Sequence, residues 1–314
     1  MTELPLNMDL PWQADIWIDL NTAIDNNRLS HALLISGASG IGKKNLALRL
    51  AGRVLCSSPN NHEACGKCKN CQLLAAGFHP DLMLVEPADK GKAILIDKIR
   101  RLTASLNNTS QQGGWRVAII APAEAMNINS ANAVLKSLEE PQAKTLLILV
   151  CHRPSLLPAT IISRCQKLPL PIPKKEIAVR WLSEVSKQHP SVTNVLQMAV
   201  GRPLLALEAL DAGGLETFES FIKLIESVRS GEQTPLGAAQ RSADFATVEA
   251  LEWFLHYVRK IATTDVSART NVDLYYFLDR LQDNYRMILK GSTINQQLLW
   301  EETFMSWSQV FTPR

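Results

Sequence analysis

The chain has 314 residues, of which 46% are hydrophobic and 20% charged, so it is long enough for two or three domains with buried cores and is not a wholly disordered polypeptide. Its formal charge of +3 excludes tail-driven, histone-like binding to nucleic acid and leaves room for a local basic patch. No apolar run reaches the roughly 18 residues of a membrane span, and Met1-Thr2-Glu3-Leu4-Pro5 lacks the pattern of a secretory signal, so the expected compartment is the cytoplasm.

In chain order, Ala32 to Ser36 is a short apolar run ending at a glycine, as a buried parallel strand should be. A glycine-rich turn follows, then a helical pattern from Asn45 to Leu55. Further strands are expected at Leu82–Val85, Val117–Ile120 and Leu146–Val150, separated by helices at Ile94–Leu106 and Asn129–Glu140, the latter stopped by Pro141. This alternation predicts an α/β domain with a largely parallel sheet. Near Gln166 the texture changes: Leu168-Pro169-Leu170-Pro171-Ile172-Pro173 is proline-dense and reads as an extended hinge. Beyond it only helices are expected, at Lys174–Gln188, Val192–Ala199 and Pro203–Leu210, then, after a break at Gly213-Gly214, at Leu215–Val228, Ala243–Thr263, Asn271–Leu289 and Asn295–Phe311. The expected domains are 1–166 (α/β), 167–212 (small helical) and 213–314 (helical). The late aromatic residues Trp253, Phe254, Tyr275, Tyr276, Phe277, Trp300 and Trp307 sit at helical spacings and read as packing residues.

Gly37-Ala38-Ser39-Gly40-Ile41-Gly42-Lys43-Lys44 carries the G-x-x-x-x-G-K pattern of a phosphate-binding loop between a strand and a helix. Gly37, Gly40 and Gly42 would let backbone N–H groups wrap a phosphate, and Lys43 would reach its outer oxygens. The loop is degenerate. Lys44 stands where a Ser or Thr hydroxyl normally holds Mg²⁺, and Ala121-Pro122 stand where acidic residues should end the third strand. Glu124 lies further on and reads as a helix-start residue. Without a metal ligand or a carboxylate to orient water, hydrolysis by this chain is not expected. The surviving glycines and Lys43 leave binding of ATP without hydrolysis open.

Cys56, Cys65, Cys68 and Cys71 place four thiolates within 16 residues, with Gly66 where a tight knuckle turn needs a permissive residue. In a reducing compartment this spacing points to a metal and not to disulfides. Four soft ligands suit tetrahedral zinc, with an iron–sulfur cluster as the competitor. No position is left for water, so the site is expected to be structural. His62 reads as a solvated loop residue, and His79-Pro80-Asp81 as a turn before the next strand. Arg164, in Ser163-Arg164-Cys165, is either a surface charge or an arginine finger offered to a neighbour's phosphate.

Several segments together resemble one family. Asn132-Ala133-Val134-Leu135-Lys136-Ser137-Leu138-Glu139-Glu140-Pro141 is similar to the "NALLKTLEEP" segment of the clamp-loader subunits of bacterial DNA polymerase III. Ser163-Arg164-Cys165 matches their "SRC" motif, the four-cysteine spacing matches their zinc module, and His31-Ala32 matches the "HA" before their phosphate loop. Retained SRC beside lost magnesium ligands resembles the delta prime type. The ATP-hydrolysing gamma/tau motor would need an intact loop, and a "GS-x-R" pattern where this chain has Gly201-Arg202-Pro203-Leu204.

The resemblance implies a RecA-like AAA+ domain with an inserted zinc module at 56–71, a small helical lid and an all-α collar. It implies a five-subunit ring with gamma/tau and delta subunits that loads a sliding clamp on primed DNA in DNA replication. In that ring the chain would be a non-hydrolysing stator of the DNA-directed DNA polymerase assembly, and Arg164 would be a finger acting in trans. The charged residues Lys136, Glu139 and Glu140 are then either a solvated helix face or an interface element coupled to Arg164. Lys98, Arg100 and Arg101 are either a solvated face or a weak contact with duplex phosphate inside the ring. The alternatives are a gamma/tau-type motor and a zinc-dependent DNA-binding module.

Overall fold

In a computed structural model, which describes residues 9–89, 92–212, 214–264, 271–289 and 294–311, the four apolar runs of the N-terminal half all become strands of one sheet. The first compact unit comprises residues up to 188 together with 201–205. Its elements are α1 (Ala14–Asp25), β1 (Ala32–Ser36), α2 (Lys43–Leu55), α3 (Lys69–Ala75), β2 (Leu82–Val85), α4 (Ile96–Asn107), β3 (Arg116–Ile120), α5 (Ile128–Glu139), β4 (Thr145–Cys151), α6 (Ala159–Ile162), β5 (Gln166–Pro169) and α7 (Lys175–Val185).

The strands are all parallel, in the order β2-β3-β4-β1-β5, with Leu34 opposite Leu149 and Ala118 opposite Leu147. Alternate strand residues serve two cores. Leu33, Ile35, Val117, Ile119, Leu146 and Ile148 pack with α1 and α2 through Trp17, Leu20, Leu46 and Leu50. On the other face Leu34, Ala118, Ile120, Leu147 and Leu149 pack with α4, α5 and α6 through Ile99, Leu102, Val134, Leu138 and Ile161. Both faces are covered, which is why β1, β3 and β4 read as unbroken apolar runs.

The expected hinge is corrected in part. Gln166–Pro169 is a fifth strand on β1, with Leu34 opposite Lys167, and Leu170 N–H donates to Ser36 O at 2.7 Å. It is an edge strand with Gln166, Lys167 and Pro169 exposed, so it has no apolar run to announce it. An edge position also tolerates Pro169, whose missing N–H needs no ladder partner.

The second unit, residues 189–200 and 206–314, is helical wherever it has regular structure among the described residues. It holds α8 (Val192–Met198), α9 (Pro203–Ala212, whose first turn belongs to the first unit), α10 (Gly214–Arg229), α11 (Pro235–Arg241), α12 (Thr247–Thr264), α13 (Val272–Leu289) and α14 (Gln296–Val310). Of the break expected at Gly213-Gly214, Gly213 lies outside the described residues and Gly214 opens α10. Helix α11 has no apolar periodicity to predict it; Thr234 caps it by accepting from Gly237 N–H, with Pro235 at its first position. Phe221, Phe254, Trp300, Phe304 and Trp307 form a fully buried aromatic core, and Trp307 Nε1 donates to Ile225 O at 3.1 Å. Trp253 and Phe277 are also buried, whereas Tyr275 and Tyr276 are exposed. Among the described residues no helix is long and apolar enough to cross a membrane.

Candidate functional site

The phosphate loop spans the end of β1 and the start of α2, at the C-terminal edge of the sheet, where open α/β folds bind ligands. Gly40 and Gly42 have φ of +77° and +84°, backbone that only glycine adopts freely. Neighbouring side chains leave no room for a Cβ at either position. A Cβ at Gly40 would lie 2.3 Å from Leu205 Cγ, and one at Gly42 would lie 2.2 Å from Leu10 Cδ1. Leu204 N–H donates to Gly40 O at 3.0 Å. Trp12 Nε1 donates to Ile41 O at 2.9 Å, and Gln13 Nε2 to Gly42 O at 2.9 Å. At Gly37 a Cβ would meet Leu170 O at 2.2 Å.

Lys43 does not reach outward. It is 3% exposed, and its ammonium donates to Ala38 O within the loop. Burial pushes its pKa down to about 8, with the fields of Glu124 and Cys151 opposing. The unfolded chain therefore holds more protons than the folded one between pH 8 and the ordinary lysine value of 10.5. The contribution of Lys43 to stability therefore rises with pH across that window. Relative to Lys43→Met, the native chain is expected to gain about 3 kcal/mol over this range in urea unfolding; parallel curves for the two proteins would contradict the buried ammonium.

The motif positions that normally hold magnesium carry Lys44, Ala121 and Pro122. Lys44 forms an ion pair with Glu86 at 2.7 Å. Ala121 is buried and hydrogen-bonds through its N–H to Val85 O. Glu124 starts a short helical turn, as expected, yet its carboxylate also accepts the backbone N–H of His152 beyond β4, at 3.0 and 3.2 Å. That long-range tie has no sequence signal. Ser39, Glu86, Asp89, Glu124 and His152 line an open cavity of about 870 Å³ along this edge.

The four cysteines converge. Their Sγ atoms all lie within 4.8 Å of one another, with Cys56–Cys68 and Cys65–Cys71 each at 3.9 Å. Tetrahedral thiolates about 2.3 Å from one zinc ion stand roughly 3.8 Å apart, so the set fits a single ion; a multi-iron cluster would hold its sulfurs further apart. Cys56 caps the end of α2, and Cys68 caps the start of α3 by accepting from Cys71 N–H. Backbone N–H groups of Cys65 and Cys68 point at Cys56 Sγ and Cys65 Sγ, each at 3.3 Å. The Ser58 hydroxyl, helped by backbone N–H groups, lowers the Cys65 pKa to about 5, while burial raises that of Cys71. Arg49 of α2 pairs with Glu63 in the cysteine loop and lies 4.2 Å from the Trp17 ring. His62 is exposed and faces Asp25 at 3.3 Å, outside the sulfur cluster. His79 is buried, and its Nδ1 accepts from Asp81 N–H, the turn that the sequence predicts.

Arg164 follows α6 on the surface. Its Nη2 lies 2.7 Å from Glu139 Oε1, and its Nη1 donates to Thr160 O at 3.0 Å. Lys136 and Glu140 are exposed beside this pair. Lys98 donates to Glu86 O at 2.8 Å and is half-buried, whereas Arg100 and Arg101 are exposed, each turned toward Asp97.

Residues 12–174 match the family described as DNA polymerase III, delta subunit. The DNA polymerase III subunit delta' of Pseudomonas aeruginosa is 33% identical over 328 aligned residues, covering 96% of this chain and 98% of that protein. That of Escherichia coli is 36% identical over 232 residues, covering 73% of this chain and 69% of that protein. Among solved structures, a DNA polymerase III gamma subunit-related protein of Thermotoga maritima aligns with a TM-score of 0.48 and 18% identity over 94% of this chain and 99% of that one.

Proposed function

The chain belongs to the family of DNA polymerase III delta' subunits, and from that premise we infer that it is a non-hydrolysing stator of an AAA+ clamp loader. It sits in a cytoplasmic ring with gamma/tau and delta subunits, and the ring places a sliding clamp on primed DNA. The ATP is hydrolysed on a neighbouring subunit, to which Arg164 is offered.

The observation that carries this reading is the state of the phosphate loop. Leu10 and Leu205 pack so closely on its glycines that no other residue fits there, and Lys43 is turned back onto Ala38 O. Lys44, paired with Glu86, puts a cation where Mg²⁺ would need a hydroxyl. Phosphoryl transfer depends on metal and on groups that stabilise charge at the transferring phosphate, and this chain offers neither at the right place. Nucleotide binding is disfavoured as well, because Lys43 would have to leave Ala38 O before it could meet a phosphate.

The isolated chain is therefore expected to hydrolyse no ATP and to show no thermal stabilisation in millimolar Mg-ATP. A ligand at 100 times its Kd would add about 2.7 kcal/mol. That would move a melting transition by roughly 5–11 °C for a domain of this size. A shift of that kind, or turnover that Lys43→Ala abolishes, would favour the gamma/tau-type motor reading.

The cysteine site is assigned to one zinc ion held by Cys56, Cys65, Cys68 and Cys71. All four positions are taken by protein thiolates, so the ion supplies fold stability and no open coordination position. Of the weak DNA contacts, Lys98 is engaged with a backbone carbonyl, which leaves Arg100 and Arg101 as the exposed pair. The alternative of a zinc-dependent DNA-binding module has less support: Arg49 and Glu63 neutralise each other beside the cysteine loop, which leaves Lys67 and Lys69 as its exposed cations.

A further inference from the structure

We propose that Glu139 is the positioning residue for Arg164, holding the guanidinium at the surface in the geometry in which it meets a neighbour's phosphate. The inference rests on the reading of Arg164 as a finger acting in trans.

Arg164 needs such a partner. It follows α6, a helix of only four residues, and its side chain is 36% exposed. One anchor is local: Nη1 donates to Thr160 O at 3.0 Å. The other comes from a distant element, since Nη2 lies 2.7 Å from Oε1 of Glu139, the last residue of α5. That end of α5 is itself fixed. Leu138 is buried in the sheet core, its carbonyl lies 3.0 Å from His31 Nε2, and His31 immediately precedes β1. Glu140 N–H closes the helix onto Lys136 O at 3.0 Å. A chain of contacts thus runs from β1, through His31 and α5, to the guanidinium.

Two anchors on different elements restrict a long side chain that would otherwise sample many rotamers. Arginine has five N–H donors, so two anchors leave others for an incoming phosphate. An exposed ion pair of this kind contributes little to folding. What it does supply is orientation, which matters most in a transition state that is stabilised by placement of charge.

The test is steady-state ATP hydrolysis by the reconstituted ring with cognate gamma/tau and delta subunits, clamp and primed DNA. The full-length chain is supplied as native, Glu139→Ala, Glu139→Gln, Arg164→Ala or the double Glu139→Ala/Arg164→Ala. Glu139→Ala is expected to lower kcat about 3–10-fold at unchanged KM, the signature of an interaction made only in the transition state. Glu139→Gln should restore most of the rate, because its amide oxygen still accepts from Nη2. The double variant should equal Arg164→Ala. Native-like melting of Glu139→Ala and an intact ring would set aside loss of folding.

If Arg164→Ala is slow while Glu139→Ala turns over at or above the native rate, or if Glu139→Ala slows the Arg164→Ala background further, the positioning role is wrong and the finger reading stands. If Arg164→Ala itself has no effect, both fall.

Discussion

Arg164→Ala in the assembled ring is expected to lower ATP hydrolysis at the one site it serves by about 10³-fold, within the range that arginine fingers contribute. The residue stands outside its own chain's phosphate loop and is bound on the surface by Glu139 and Thr160. Its charge is permanent, and its planar donors match phosphate oxygens in a way that an ammonium does not. Arg164→Lys should therefore recover little of the loss. Single-turnover hydrolysis by the ring, with sedimentation to show that all subunits remain assembled, reads the effect. Turnover at the native rate would make Arg164 an ordinary surface charge and the Ser-Arg-Cys motif uninformative about mechanism.

The second large effect is expected at the cysteines. Structural zinc in small peptide sites contributes roughly 10–16 kcal/mol of apparent binding free energy at neutral pH. Among residues 56–71 only Cys56 and Cys71 are buried, so the ion should carry most of the order of this segment. Elemental analysis of the native chain is expected to find about one zinc per chain, and cobalt substitution to give thiolate-to-metal charge-transfer bands of a tetrahedral site. Cys71→Ser, at the most buried of the four, should lose the metal and expose residues 56–71 to protease. The near-UV signal of the aromatic core around Phe254 and Trp307 should survive, because that core is built within the second unit. A native chain that folds with no stoichiometric metal, and with a protease-resistant loop, would refute a structural zinc.

Short-range chemistry was legible in the residues. β1, β3 and β4 are buried on both faces, so each is written as an unbroken apolar run bounded by turn residues. α2, α4 and α5 carry helical periodicity with identifiable ends. The cysteine cluster is legible for the same reason: its four ligands lie within 16 residues, and a short loop has few ways to arrange them. β5 was illegible because an edge strand with exposed residues has no apolar signature, and α11 because its seven residues carry no apolar periodicity.

The sequence by itself also determined that the phosphate loop lacks magnesium ligands, since Lys44, Ala121 and Pro122 are substitutions in a motif of fixed spacing. Only the tertiary structure decided what packs against that loop. Leu10 and Gln13 come from before it and Leu204 and Leu205 from far beyond it, and no local pattern in either segment points to Gly40 or Gly42. The same holds for Glu124 on the His152 N–H and for Glu139 on Arg164. A motif is a property of neighbouring residues along the backbone, whereas the filling of a cavity and the pairing of surface charges depend on which distant segments the fold brings within a few ångströms.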